Sequence, residues 1–479
     1  MNSSVPFGKS LSVALACFVF SGCMVGPDYK KPKDEMPPKW VETSPSVAVV
    51  QSADMGHWWT LFNDQILNRL IGQGVSANKD LKLANARILE ARGQRVIAAS
   101  GLFPTVNTSG QYQRERGSAN APGASGPIHG GTFSGGADLY QGGFDASWEL
   151  DVFGRVRRTV EAATADLSAS EENYRDVLVT LLSEVSVNYL TLRGAQLRLD
   201  IANKNIEAQR QTVQLTQERF QAGLSSDLDV SQAQAQLANT EAQVPVIETT
   251  IKQSIYQLAT LLGTTPEPLV DQLLKEAPIP GIPPEVPVGL PSDLLRRRPD
   301  IRRAERQLAA ATARIGVATA DLYPRFNLTG NIGQASMSLA DIAKSSSSFW
   351  SFGPSFNWNI FNAGSTRANI EVQKARTEQA LATYEKTILT AVQDVESSLI
   401  AYSKEQVRRD SLESAVRSNQ RAYDISSELY SKGLVDFLRV LDSQRSLYQT
   451  QEQLALSSQQ VSTNLVSLYK ALGGGWDVP

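Results

Sequence analysis

Histidine and cysteine are almost absent: the 479 residues hold two of each, at His57, His129, Cys17 and Cys23. A metal centre ligated by His or Cys and a His-dependent catalytic triad therefore lack raw material, and no pair of carboxylates sits in a recognisable catalytic motif. No enzymatic activity, metal or cofactor is expected. Charge of one sign is missing too, since Lys plus Arg is 46 against 49 for Asp plus Glu, a formal net charge of -3. Such a balance offers nucleic acid no basic field. Hydrophobic residues make up 42% of the chain, yet no run reaches the roughly 20 that a spanning helix requires, which excludes a multi-helix inner-membrane protein. Helix breakers are scarce in two long windows. From Ser365 to Leu472 there is no proline and one glycine, Gly433; from Arg155 to Leu262 the only proline is Pro245 and the glycines are Gly194 and Gly223. An interior Gly costs a helix about 1 kcal/mol and an interior Pro about 3, so these windows predict two very long helices, each turned once.

What is present supports that reading. Val160, Leu167, Tyr174 and Leu181 hold one heptad register. After a step of four residues, Val185, Leu192, Leu199, Ile206, Val213 and Phe220 hold another, a coiled-coil pattern with a stutter. At about 1.5 Å per residue, the stretch from Arg155 to Ala222 makes a rod of about 100 Å, and Leu224 to Leu262 one of only about 58 Å. A second helical segment, Asp80 to Gly101 or Asp300 to Asp321, adds about 33 Å and would nearly make up the difference if stacked end to end on the returning arm. The chain also repeats itself. Gly101-Leu-Phe-Pro matches Asp321-Leu-Tyr-Pro, Ser147-Trp148 through Phe153 matches Ser355-Phe356 through Phe361, Phe220-Gln-Ala-Gly-Leu matches Tyr430-Ser-Lys-Gly-Leu, and Leu258 to Gly263 matches Leu468 to Gly473.

Between the helices, four segments alternate with period two. Phe144, Ala146, Trp148, Leu150 and Val152 interleave with polar residues, as do Trp350, Phe352, Phe356, Trp358 and Ile360; Val106, Gly110 and Tyr112, with Phe326, Leu328 and Ile332, begin the two weaker partners. Aromatic-rich alternation of this length is the pattern of a transmembrane β-strand with one face to lipid and one to a wet lumen. Four strands would leave open edges in hydrocarbon, so several copies must close one barrel. The connectors Gly117 to Gly136 and Ala335 to Ser348, rich in Gly, Ser and Ala, are expected to be exposed loops. At the N-terminus, Lys9 followed by the apolar stretch Leu11 to Phe20 reads as an export signal. Phe20-Ser21-Gly22-Cys23 then resembles the lipobox of bacterial lipoproteins, with Phe20 where Leu is usual. The alternative is an ordinary cleaved signal and an incidental cysteine. Met24 stands where inner-membrane-retained lipoproteins usually carry Asp, which favours the outer membrane. The expected organisation is a signal peptide over 1–22, a lipidated tether over 23–60, and a first repeat over 61–263 with strands about 103–115 and 139–153 and a helical hairpin over 155–262. A linker over 264–298, a second repeat over 299–473 with strands about 323–334 and 349–361 and a hairpin over 365–472, and a tail over 474–479 complete it.

Gly22-Cys23-Met-Val-Gly-Pro-Asp-Tyr29, Trp59-Thr-Leu-Phe-Asn-Asp64, Trp148-Glu-Leu-Asp-Val-Phe-Gly154, Leu290-Pro-Ser-Asp-Leu-Leu-Arg-Arg-Arg-Pro-Asp300 and the duplicated Gly-Leu turns together resemble the TolC-type outer membrane factors, in their lipoprotein NodT/OprM branch. The likeness runs nearly end to end. It implies a mainly α chain with a membrane β-barrel, assembled as a homotrimer whose twelve strands form one barrel continuous with a long periplasmic α-helical barrel. It implies a passive exit duct for drugs or other small substrates, partnered by a periplasmic adaptor of the membrane fusion class, an inner-membrane RND-type transporter and outer membrane lipids. The helix turns would lie at the periplasmic tip, with Gly223, Leu224, Gly433 and Leu434 meeting the adaptor, unless those glycines are helix caps alone. Asp442 matches the position of an aspartate ring at the closed tunnel mouth, and Arg439 stands where some relatives carry a second acid. Arg445, three residues along the same helix face, and Arg439 are candidates to bridge Asp442 within or between protomers.

Other readings remain. The same scaffold serves as a duct for type I protein secretion. A periplasmic adaptor or coiled-coil structural lipoprotein would share the long helices, but not two symmetric pairs of aromatic-rich strands. The Arg296 to Arg298 run is expected to be a solvated face, and Trp58, Trp59 and Phe62 packing anchors. If the lipobox reading is right, Cys23→Ser abolishes incorporation of labelled acyl chains; label still attached to the variant would overturn it.

Overall fold

The computed structural model describes residues 24–33, 36–42, 47–49, 55–116, 136–282, 286–288 and 291–476. The signal region, Cys23, His129 and nearly all of the connector expected over 117–136 lie outside the described residues. In chain order the elements are β1 (Val47–Val49), α1 (Gln65–Ala77), α2 (Lys79–Ser100), β2 (Thr105–Glu115), β3 (Ala137–Leu150), α3 (Arg155–Gln221), α4 (Asp227–Glu241), α5 (Val244–Leu261) and α6 (Glu267–Leu273). There follow β4 (Val286–Val288), α7 (Leu294–Arg297), α8 (Pro299–Ala320), β5 (Arg325–Ser336), β6 (Ser348–Asn357), α9 (Ser365–Ser431) and α10 (Phe437–Ala471).

The duplicated helices α3 and α9 both run 67 residues. Their returning arms differ. The second, α10, is one helix of 35 residues, whereas the first, expected to be continuous, breaks between Glu241 and Val244. Pro245 is the reason: it has no N–H to donate and its ring crowds the carbonyl of Glu241, so it is tolerated only in the first turn of a new helix.

Two compact units emerge, one of Met1–Pro32, Ile88–Ala169 and Glu305–Thr383, the other of Lys33–Arg87, Ser170–Ala304 and Tyr384–Pro479. Both draw on both repeats, and their limits fall inside α2, α3, α8 and α9. The first unit holds the four-stranded antiparallel sheet, in the order β2-β3-β5-β6. Its roots are duplicated anchors: the indole of Trp148 donates to the Leu102 carbonyl at 3.0 Å and that of Trp358 to the Leu322 carbonyl at 3.1 Å. Asp151 then starts α3, accepting from the backbone N–H groups of Val156 and Arg157 at 2.9 Å each, which satisfies donors that a helix start leaves orphaned. Gly143 and Gly333 face each other in the register. A Cβ on Gly143 would lie 2.6 Å from the Ile332 carbonyl oxygen and one on Gly333 2.5 Å from that of Gly142, so the two strands approach where only glycine fits.

In the second unit the shorter returning arms are extended as their lengths require. The Asn78 amide donates to the carbonyl of Leu261, at the end of α5, at 2.8 Å, and its oxygen accepts from Asp80 N and Leu81 N at the start of α2. In the second repeat the Arg298 guanidinium donates to the carbonyl of Ala471, at the end of α10, at 3.1 Å, and is clamped by Asp300 and Asp394 at 2.7 and 3.1 Å. Gly263 and Gly473 (φ +65 and +72) turn the chain away beside each joint. Arg298 is thus nearly buried rather than part of a solvated run, because α8 starts against the end of α10. Its neighbours Arg302 and Arg303 pair with Glu172 at 2.6 Å and Asp176 at 3.0 Å, and the guanidinium groups of Arg175 and Arg302 lie 5.0 and 5.1 Å from the centroid of the Trp476 ring. Trp58, Trp59 and Phe62 are buried as expected, with Trp58 stacked on Tyr469 at 5.3 Å.

Glu305, in the first unit, yields a pH prediction. Burial works to raise its pKa, but the charges of Arg306 and Lys31 outweigh it and hold the carboxyl below the usual range. A group depressed in the folded state adds stability above its unfolded pKa and loses it as the pH falls through the folded value. Glu305→Gln should therefore flatten acid destabilisation below about pH 4.5, read as thermal midpoint against pH; an unchanged acid limb would refute the assignment.

Candidate functional site

The sheet has two chemically distinct faces. On one, Phe144, Ile332 and Trp350 form a cross-strand row, and Val106, Ala146, Gly330 and Phe352 form the next row on that face. Trp350 and Phe352 are 69% and 76% exposed. Successive side chains point to opposite faces, so the row between them, Asn107, Asp145, Asn331 and Ser351, faces the other way. There Asn107 donates to Asp145 and the Ser351 hydroxyl to Asn331, each at 3.0 Å. The outer edges of β2 and β6 have no strand partner among the described residues.

The hairpin turns, in the second unit, are near copies. Gly223 and Gly433 both take φ +74. The N–H of Gly223 donates to the Phe220 carbonyl at 2.9 Å and that of Leu224 to Arg219 at 2.8 Å; Gly433 to Tyr430 and Leu434 to Leu429, at 2.9 Å each, repeat the pattern. These are Schellman caps, so the capping role of both glycines is present. The leucine side chains have no such role: Leu224 and Leu434 are 65% and 68% exposed, and Leu228 and Leu438 add exposed apolar surface in the next turn. Ser226 with Asp229 forms a capping box at the start of α4, and Asp436 caps α10 through Arg439 N at 3.2 Å. Below the turns, Tyr430, Phe437, Val440, Leu441 and Ala233 form a small core between the two hairpins.

A cross-hairpin clamp completes the tip. Arg219, in the last turn of α3, donates to the carbonyls of Tyr430 and Ser431 at 3.1 and 3.4 Å and lies 4.8 Å from the centroid of the Tyr430 ring. One guanidinium thereby caps the end of α9 from the other repeat.

The model for the family described as "Outer membrane efflux protein" matches residues 70–264 and 290–474. The chain belongs to the outer membrane efflux protein family. It is 34% identical over 473 residues to the probable efflux pump outer membrane protein TtgC of Pseudomonas putida, covering 97% of this chain and 95% of that protein. It is 32% identical over 481 residues to the probable outer membrane lipoprotein SilC of Salmonella typhimurium, covering 98% and 99%. Among solved structures, the outer-membrane channel OprN superposes with a TM-score of 0.88 at 38% identity, over 95% of this chain and all of that one. The protein is thus an outer membrane efflux channel component that extends into the periplasm, combines helical-barrel and β-barrel parts, and is a passive conduit rather than an enzyme.

In this efflux channel chain the three gate candidates lie together on α10, but they do not bridge one another within one protomer. Asp442 is exposed and has no hydrogen-bond or ion-pair partner among the described residues. Arg445 instead donates to the Gln236 amide oxygen of α4 at 2.7 Å, and the Arg439 side chain projects to solvent. Of the two bridges considered, within or between protomers, the one within the protomer is absent among the described residues, because a nearly buried amide acceptor on the neighbouring helix outcompetes an exposed carboxylate one turn away, where water screens the pair. The Arg219 clamp was not legible in the sequence, since an arginine four residues before a turn glycine looks like any helix-end cation.

A Cβ on Gly433 would meet only the Arg219 Nη2 atom, at 3.7 Å, and one on Gly223 nothing within 4 Å. Gly223→Ala and Gly433→Ala should therefore each cost about 1 kcal/mol through positive-φ strain alone. Hydrogen exchange should speed up at the turn, and Asn should restore part of the loss. Equal losses for Ala and Asn would point to a packing role.

Proposed function

We propose that three copies of the chain close one twelve-stranded barrel in the outer membrane and that the resulting duct carries drugs or other small substrates out of the cell. The observation that carries this reading is the sheet: one face is apolar and exposed, the other polar, and both edges are unpaired among the described residues. Unpaired backbone groups are not tolerated in hydrocarbon, so β2 of one copy pairs with β6 of the next until the ring closes. Acylation of Cys23 adds an anchor to that barrel. The partners are a periplasmic adaptor and an inner-membrane RND-type transporter, in keeping with the efflux pump named for TtgC.

The adaptor docks on the exposed Leu224 and Leu434 that follow the turn glycines. Three copies of Asp442 converge at the tip, where like charges in a narrow opening repel one another and attract cations. With Asp442 free in the protomer, a bridge that holds the closed state runs between protomers, to Arg439 or Arg445 of the next copy. The Gln236 contact keeps Arg445 on the α4 side, and the Arg219 clamp makes the two hairpins of a protomer move as a pair. Replacing Asp442 and Arg445 together with Ala should raise single-channel conductance in planar bilayers and relieve block by divalent cations, with trimer yield unchanged. Wild-type conductance and cation sensitivity in a correctly assembled double variant would place the constriction elsewhere.

A further inference from the structure

The segment that follows Cys23 is held by the fold with unusual thoroughness. The Val25 amide donates to the Phe153 carbonyl at 3.2 Å, at the junction between β3 and α3. Arg158, in the first turn of α3 and only 1% exposed, donates from Nε to the Val25 carbonyl at 3.2 Å and from Nη2 to the Gly26 carbonyl at 3.3 Å and the Asp28 carboxylate at 2.7 Å, while its Nη1 pairs with Glu161 at 2.8 Å. Three glycines make the fit. Gly26 takes φ +87, and a Cβ on it would lie 2.4 Å from Gly316 Cα on α8; a Cβ on Gly316 would lie 2.8 Å from the Arg158 side chain; and one on Gly154 (φ +81) would lie 2.6 Å from Met24 Cγ. Farther along, the Tyr29 hydroxyl and the Lys31 ammonium both reach Glu305 on α8, at 3.2 Å each.

We propose that Arg158, Gly154 and Gly316 form a docking site for residues 24–28 of the same chain, a strap that ties the N-terminal anchor point to the root of the sheet. A guanidinium buried this fully needs its acceptors, and the strap supplies three of them, two being carbonyls whose only qualification is where the backbone runs. The site therefore recognises the course of this segment, and the segment in turn fills the charge requirement of Arg158. Since residues 25–28 are bonded to Phe153 and Arg158 at the β3–α3 junction, Gly26 packs against Gly316 of α8, and Tyr29 and Lys31 just beyond reach Glu305 of α8, the segment joins the two repeats beside the strands. Position 23 is covalently next to the docked Met24, so force on a lipid anchor there passes into the strand roots rather than into a loose tether. The docking needs no acyl chain, which separates it from the lipidation reading.

Hydrogen exchange and acyl labelling on the full chain, purified from outer membranes, test the strap. In the wild type the Val25 amide should be protected. Arg158→Gln and Gly26→Ala attack the site from opposite sides. Each should speed exchange over residues 24–31 by about tenfold or more, while protection in α10 and incorporation of acyl label are retained. Cys23→Ser should do the reverse, losing the label and keeping the protection. Should Arg158→Gln misfold, Gly26→Ala with the wild-type and Cys23→Ser proteins decides. An unprotected Val25 amide in the wild type, unchanged protection in Gly26→Ala, or loss of protection in Cys23→Ser would each overturn the proposal.

Discussion

A helix end buried without partners for its last carbonyls or first N–H groups is costly, and both returning arms end short of the 67-residue helices beside them, so each of their ends needs a partner. The arms are completed by joining helices that are far apart in sequence. At one joint a single Asn78 side chain serves both helices, accepting from the start of α2 and donating to the end of α5. At the other, Arg298 does the same work with charge, its guanidinium on the Ala471 carbonyl and between two aspartates. The dipoles at each joint meet negative end to positive end, and the rest of the helical architecture is built on these two junctions.

The duplication is close in backbone and loose in side chains. Trp148 and Trp358 root the sheet through equivalent carbonyls, and the turn glycines share one φ and one hydrogen-bond pattern. The joints use different chemistry for the same end. At the tip the copies diverge more: Asp229 completes a capping box where the second repeat has Arg439, and Arg219 reaches across to cap α9 without a counterpart running the other way. Divergence concentrates in the side chains at the hairpin tip, and identity persists where the backbone conformation leaves no choice.

The sequence by itself determined the periodic features. Heptads, absent breakers and period-two aromatics depend only on local stereochemistry and on which side of an element is apolar, so the long helices from 155 and 365, the four strands, the glycine turns and the conduit reading were legible. It also contained Pro245, whose effect on the first returning arm is a local rule that the heptad pattern masked. The tertiary structure decided what depends on neighbours distant in the chain. Arg298 looked solvated because the end of α10, which buries it, lies 173 residues away. Arg158 gains its role only from the backbone of residues 25 and 26 laid over it, and Asp442 found no bridge in its own protomer because Gln236 had already taken Arg445. Charged side chains are long and choose among acceptors by burial and distance, and neither quantity exists until the fold has brought the candidates together.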